Sequence, residues 1–255
     1  MASKKELLYS SDKTIAEKEF TNRQDCRFVN FTIIRHGESD MNTMRGRICG
    51  RSKNTQLTEK GRHQAEVVGH RLKRKVGKFD EAYCSPLERA RETGEIALFA
   101  MDDSVELVES RNLEELSMGS WTGLSRDAVY IPEIVEDITR QGPFHRPPGV
   151  DEDNVPGESQ IDVEERVAAF MDDIIQKKEG RKDNAKVVIF THGIAIRCFL
   201  RRILGAGPLA ALHLDLGNTS ITEVEYRPYA RYNYKSDLAG WHLIRMNDVA
   251  HLEMM

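Results

Sequence analysis

Apolar positions along this chain follow two rhythms that alternate from one end to the other. Short runs of β-branched and aromatic residues, VNFTIIR at Val29–Arg35 and KVVIFT at Lys186–Thr191, have the pattern of strands buried on both faces. Leu57–Val76 instead sets Ala65, Val68, Leu72 and Val76 on one face at helical spacing, with Thr58 placed to cap the N-terminus. Ser159–Lys178 repeats that spacing with Ile161, Val163, Val167, Phe170, Ile174 and Ile175. Leu87–Ala100 reads as a further helix, introduced by Ser85 as N-cap and Pro86 at the first helical position. Phe79–Cys84 and Val105–Val108 supply short strands, Ile194–Leu204 a helix, and Ser220–Tyr226 and Trp241–Met246 two final strands.

Strands that alternate with helices predict an α/β fold: a three-layer α/β/α sandwich with a mostly parallel central sheet, built as a single domain. The domain is expected over 28–255, preceded by a polar extension at 1–27. Gln141–Gly157 carries Pro143, Pro147, Pro148, Gly149, Pro156 and Gly157, too many helix breakers for anything but a lid or rim loop. No internal repeat interrupts this plan.

Composition narrows the function classes. The 255 residues carry 31% charged side chains but a net charge of only -4, so no global basic field points to a nucleic-acid partner. Cys26, Cys49, Cys84 and Cys198 are scattered and form no CxxC pair, which suits reduced thiols and gives zinc no ligand set. No run of 18 apolar residues occurs, and the first 27 residues lack an apolar signal core, so a cytoplasmic protein with no membrane partner is expected. Apolar periodicity does not separate a core face from a self-association face, which leaves a homo-oligomer open.

In an open parallel sheet, ligands sit beyond the carboxyl ends of the strands. Three of those ends carry chemistry here: Arg35-His36-Gly37-Glu38, Ser85-Pro86-Leu87-Glu88-Arg89, and Thr191-His192-Gly193. Two imidazoles and two guanidiniums brought to one place repel one another unless an anion sits between them, and a guanidinium fork matches phosphate oxygens. Gly37 and Gly193 let backbone approach such a ligand, and helix N-termini after Ser85 and Gly193 add N–H donors. A phosphate pocket follows. The nearby arginines disfavour the charged form of His36, leaving the neutral imidazole that nucleophilic attack requires.

Taken together, RHGESDMN at Arg35–Asn42, LTEKGRHQA at Leu57–Ala65, SPLERARET at Ser85–Thr93, EELSMGSWTG at Glu114–Gly123, PGES at Pro156–Ser159 and THG at Thr191–Gly193 resemble the histidine phosphatase superfamily, also called phosphoglycerate-mutase-like. The resemblance implies a phosphatase of a small phosphomonoester, with His36 as nucleophile and Arg35, Arg89 and His192 binding the transferred phosphoryl group. Asn42 and Gly193 would join the phosphate pocket, and Glu115 would protonate the leaving group, with Glu114 as the alternative. No metal or other cofactor is implied, because the cations of the pocket carry the charge.

Other readings stand beside these. Arg89 could pair with Glu88 or Glu92 on a helix surface, and the run Arg45, Arg47 and Arg51 could be a solvated loop. That run is also similar to the corresponding loop of fructose-2,6-bisphosphatase domains, and Arg45 and Arg51 are expected to bind a second anionic group. A cofactor-dependent phosphoglycerate mutase would use the same pocket, although the arginine-bearing insertion that resembling mutases carry after the GxWxG region is missing. A catalytically silent phosphate-binding scaffold is the reading from a different class, and the full set of histidines and arginines speaks against it.

Overall fold

The computed structural model describes residues 28–44, 46–53, 55–178, 183–228 and 239–253. The expected extension at 1–27 and the Arg45 position lie outside them. A six-stranded sheet in the order β3-β2-β4-β1-β5-β6 forms the centre. Its strands are β1 (Val29–Arg35), β2 (Glu81–Cys84), β3 (Leu107–Glu109), β4 (Ala185–Thr191), β5 (Ile221–Arg227) and β6 (Gly240–Asp248). The first four run parallel, whereas β5 and β6 are antiparallel to their neighbours. Because β5 opposes β1, it begins at the end of the sheet where β1 and β4 stop.

Alternation along each strand divides the core in two. Phe31, Ile33, Val187 and Ile189 point to one face and pack against α6 (Gln160–Lys178) and α7 (Gly193–Ile203). Ile34, Ala82, Cys84, Val188 and Phe190 point to the other, against α2 (Glu59–Lys75) and α3 (Glu88–Met101). These are the three layers that the sequence predicts. Thr58 caps α2, its hydroxyl accepting from Gly61 N at 3.0 Å. Cys49, Cys84 and Cys198 are free thiols.

One helix start departs from expectation. Ser85 and Pro86 precede α3 without opening it: the N-cap is Leu87, and the first helical residue is Glu88. The Ser85 hydroxyl lies 2.8 Å from His192 Nε2 and also accepts from Leu87 N at 3.3 Å, just ahead of the first helical turn. The breaker-rich stretch 141–157 is largely irregular, with a short turn at Gly142–Phe144 and an isolated bridge between Val150 and Pro156. Three further helices lie outside the elements expected from sequence: α1 (Asp40–Thr43), α4 (Arg126–Val129) and α5 (Pro132–Gln141). The last two, with Trp121 and Ile48, form a small separate apolar cluster.

The loop after β1 is seated directly on the first turn of α2. A methyl group at Gly61 would lie 2.0 Å from the Glu38 carbonyl oxygen, and one at Gly37 would lie 2.5 Å from the Gly61 carbonyl oxygen. Both contacts are with backbone, so neither position accepts a side chain without moving the loop. Glu38 O further accepts from Thr58 N at 2.9 Å, and Asp40 N donates to Gln56 O at 3.0 Å. The loop that carries His36 is therefore fixed against the first turn of α2.

Candidate active site

Parallel register brings the two histidines together. Arg35 pairs with Thr191 at the last rung between β1 and β4, so the next residue on each strand leaves the sheet at the same height. His36 N donates to Thr191 O at 2.9 Å, and the rings of His36 and His192 sit with centroids 5.2 Å apart. Both residues are buried.

Each ring is oriented by one nitrogen. His36 Nδ1 lies 2.7 Å from Gly37 O, and since a carbonyl only accepts, Nδ1 carries the proton and Nε2 keeps its lone pair. The turn is held from behind: Gly37 N donates to Thr93 Oγ1 at 3.0 Å, and Glu38 N donates to Gln64 Oε1 at 2.8 Å. His192 is fixed through Nε2 on Ser85, while its Nδ1 is buried without a hydrogen-bond partner. Burial, reinforced by Arg89 and Arg35, pushes His36 well below its ordinary range. Burial, Arg89 and His36 do the same to His192. Both imidazoles are neutral at physiological pH.

Arg89 is almost completely enclosed, and it is not a surface arginine. Nη1 donates to Ser52 O at 2.9 Å and Nη2 to Gly50 O at 3.0 Å, while Nε has no partner. Arg35 Nη1 donates to Leu216 O at 2.5 Å, and its Nε is likewise buried and unpartnered. Two unsatisfied donors, Arg35 Nε and Arg89 Nε, and the unpartnered ring nitrogen His192 Nδ1 thus belong to side chains gathered around the His36 ring. Buried donors without acceptors are uncommon and costly, and an oxyanion is the partner that satisfies them together. Gly193 opens α7 beside them, where a built Cβ would stand 3.6 Å from Arg35 Nε.

Glu115 reaches the same region from the segment after β3. Its Oε1 accepts from Leu116 N at 2.9 Å and its Oε2 from Ile194 N at 3.2 Å, so the carboxyl lies at the start of α7, next to His192. Glu114 points away, with Oε2 2.9 Å from Arg51 Nη1. Of the two acids, Glu115 is the one at the pocket.

Two expected ligands sit differently. Arg51 does not offer its fork to an anion: Nη1 is paired with Glu114, Nη2 with Glu158 at 2.7 Å, and Nε donates to Glu115 O at 2.9 Å. Its charge is neutralised by acids distant in sequence, which a basic run does not disclose. Asn42 uses its side-chain oxygen within the loop, accepting from Ser39 N at 3.1 Å, Ser39 Oγ at 3.2 Å and Asn218 Nδ2 at 3.1 Å. In that arrangement it shapes the loop behind the nucleophile.

Residues 216–220, the approach to β5, complete the site and are not evident from sequence. Asn218 Nδ2 donates to His36 O at 3.1 Å, and Thr219 N donates to Arg35 O at 3.0 Å. Thr219 holds φ at 52°, unfavourable for a β-branched residue, and His251 Nε2 pairs with its hydroxyl at 3.0 Å. Burial, with repulsion from Arg71, pushes His251 down to about 4. Arg197, on α7, also has a buried Nε without a partner.

These depressed imidazoles set a pH dependence. Unfolded histidines titrate near 6.5, whereas His36, His192 and His251 refuse the proton until lower pH. Below about pH 6.5 the unfolded chain therefore binds protons that the folded chain excludes. Stability is complete above that point and declines as pH falls, by up to about 1.4 kcal/mol per pH unit for each such group. The urea midpoint is expected to drop steadily between pH 7 and pH 5 in phosphate-free buffer. A flat midpoint over that window contradicts neutral buried imidazoles.

With the geometry established, comparison with known proteins decides the family. The model of the histidine phosphatase superfamily (branch 1) matches residues 31–234. The chain belongs to this superfamily. It is an enzyme of the family's phosphatase and mutase-like kind. A probable phosphoglycerate mutase GpmB of Klebsiella pneumoniae (strain 342) is 33% identical over 224 residues, covering 87% of this chain and 94% of the relative. Phosphoserine phosphatase from Entamoeba histolytica superimposes with TM-score 0.65 at 25% identity, covering 88% of this chain and 99% of that one. A mycobacterial glucosyl-3-phosphoglycerate phosphatase shares the fold with TM-score 0.68 at 23% identity, covering 87% and 99%. No helix among the described residues is long and apolar enough to cross a membrane.

Proposed function

We propose that this enzyme hydrolyses a small phosphomonoester through a phosphohistidine formed on Nε2 of His36. The observation that carries the reading is the neutral His36 ring, anchored through Nδ1 so that Nε2 is free, beside two buried guanidinium N–H groups and a histidine nitrogen that have no partners. The phosphoryl oxygens satisfy Arg35 Nε, Arg89 Nε and His192 Nδ1, whose charge and dipoles stabilise the transition state. The Nε2 lone pair forms the P–N bond as the bond from phosphorus to the ester oxygen breaks, and that oxygen takes a proton from the Glu115 carboxyl. Water then yields a proton to the Glu115 carboxylate and its oxygen bonds to phosphorus. The P–N bond breaks, releasing inorganic phosphate and returning neutral His36. We place the enzyme in the cytoplasm, where buried Cys84 and Cys198, both pushed up to about 12 by burial, remain thiols.

The relatives named as mutases make phosphoglycerate interconversion the competing outcome, since a retained alcohol would be rephosphorylated in the same pocket. The test is a rapid acid-quench and alkaline-quench comparison with phosphorus-labelled substrate, followed by product analysis in EDTA. An alkali-stable, acid-labile phosphoenzyme and net release of inorganic phosphate are expected. Interconversion of the monophosphoglycerates, primed by bisphosphoglycerate and faster than phosphate release, overturns the hydrolase reading.

A further inference from the structure

The segment that presents Glu115 has no regular secondary structure. It spans the gap between short turns at Arg111–Leu113 and Gly119–Trp121, so neither a helix nor a strand ladder fixes its backbone. A cluster of four charged side chains does so instead. Arg51 is 12% exposed, Glu114 11%, Glu158 14% and Arg166 14%.

Their contacts converge on the backbone around residue 115. The Glu115 carbonyl oxygen accepts from Arg51 Nε at 2.9 Å and from Arg166 Nη2 at 3.0 Å, one guanidinium from each side. Glu158 ties the two together, with Oε1 2.7 Å from Arg51 Nη2 and 3.1 Å from Arg166 Nε. Its Oε2 accepts from Ser117 N at 3.1 Å, and Glu158 N donates back to Ser117 O at 2.9 Å. Arg166 Nη1 reaches Asn112 O at 2.8 Å, and Arg51 Nη1 holds the Glu114 carboxylate. Every member of the cluster therefore grips a main-chain atom or side chain within three residues of Glu115.

Stability alone is a weak explanation for this construction. Buried ion pairs are often no better than apolar packing of equal volume, because desolvation offsets the attraction. Placement is a better one. The carboxyl of Glu115 has to meet an ester oxygen at hydrogen-bonding distance, and an error near 1 Å in such a group costs on the order of 10²-fold in rate.

We infer that Arg51, Glu158 and Arg166 are positioning residues for the proton donor, holding the 114–117 backbone so that the Glu115 carboxyl faces the leaving-group oxygen. The inference rests on the assignment of Glu115 above. It predicts a defect that depends on the leaving group. Nitrophenolate departs without a proton, whereas the alkoxide of glycerol 2-phosphate requires one.

The experiment compares kcat/KM for p-nitrophenyl phosphate and glycerol 2-phosphate, which reports phosphoenzyme formation, in Glu115→Gln, Arg166→Lys and Glu158→Gln. Circular dichroism establishes that each variant is folded, and the use of two conservative variants guards against the loss of one. Glu115→Gln should lose about 10²-fold or more on the alkyl ester and less than about tenfold on the aryl ester. Arg166→Lys and Glu158→Gln should show the same selectivity at about tenfold to 10²-fold. Selectivity in Glu115→Gln but in neither of the others overturns the positioning role alone. Equal losses on both esters in folded Arg166→Lys and Glu158→Gln also overturn it. Absence of selectivity in Glu115→Gln itself overturns the assignment of the proton donor, and the positioning role with it.

Discussion

Replacing His36 with alanine will lower kcat/KM for p-nitrophenyl phosphate by on the order of 10⁴-fold or more and abolish the acid-labile phosphoenzyme. His192, with its centroid 5.2 Å away, is no ready substitute, since its Nε2 is hydrogen-bonded to Ser85. The donors that grip phosphate survive the change, so the variant should still bind inorganic phosphate with comparable affinity, measured by calorimetry. Substantial turnover with a trapped phosphoenzyme in this variant would rule out Nε2 of His36 as the nucleophile.

Arg89→Met should be the second most damaging change, with a loss of about 10²–10³-fold in kcat/KM. Three effects combine. An oxyanion donor disappears, and the carbonyls of Gly50 and Ser52 lose their partners, at about 1–3 kcal/mol for each buried acceptor left unmade. The cation that depresses His36 most strongly after burial itself is also removed, so His36 becomes easier to protonate. The acid limb of the pH–rate profile should therefore move to higher pH than in the wild-type enzyme. Arg89→Lys should not restore activity, because a single ammonium cannot span two carbonyls and a phosphate. An unshifted acid limb in Arg89→Met would separate Arg89 from the electrostatics of the nucleophile.

The sheet and its two covering layers were legible because burial on both faces leaves an uninterrupted apolar run, as in β1 and β4, and because α2 and α6 display wide apolar stripes. The short helices α4 and α5 were not, since α5 buries no residue completely and its Ile134 and Ile138 contact only a small cluster. Its local signals are Pro132 and Glu133 in the first turn, the Ile134 and Ile138 stripe, and Arg140 in the last turn. Around the pocket, the residues placed at strand ends could be read directly: Arg35, His36, Arg89 and His192 meet as the strand-end rule requires. Glu115 was reached only through the family motif, yet the structure separates it from Glu114 by the direction of each carboxyl.

What the sequence withheld is contact between distant segments. Arg51 lies in a basic run, and nothing local reveals that Glu114 and Glu158 will enclose it. Arg166 and Asn218 belong to no chemical motif. Ser85 followed by proline is a sound helix-start signal, yet the helix is capped two residues later, at Leu87, while the Ser85 hydroxyl bonds both Leu87 N and a histidine delivered by another strand. Local propensity describes a chain with its neighbours removed, and these are the positions where the neighbours decide.

The reversed direction of β5 gives the molecule two unlike poles. One pole receives the ends of β1, β2, β3, β4 and β6 and the beginning of β5, and the two histidines of the pocket lie there. At the other, Arg227 and Gly240 face each other across the antiparallel pair, a full strand, roughly 20 Å, from the imidazoles. A fluorophore carried on exposed Ala239→Cys, next to Gly240, would ride on the quiet pole, leaving the working one untouched.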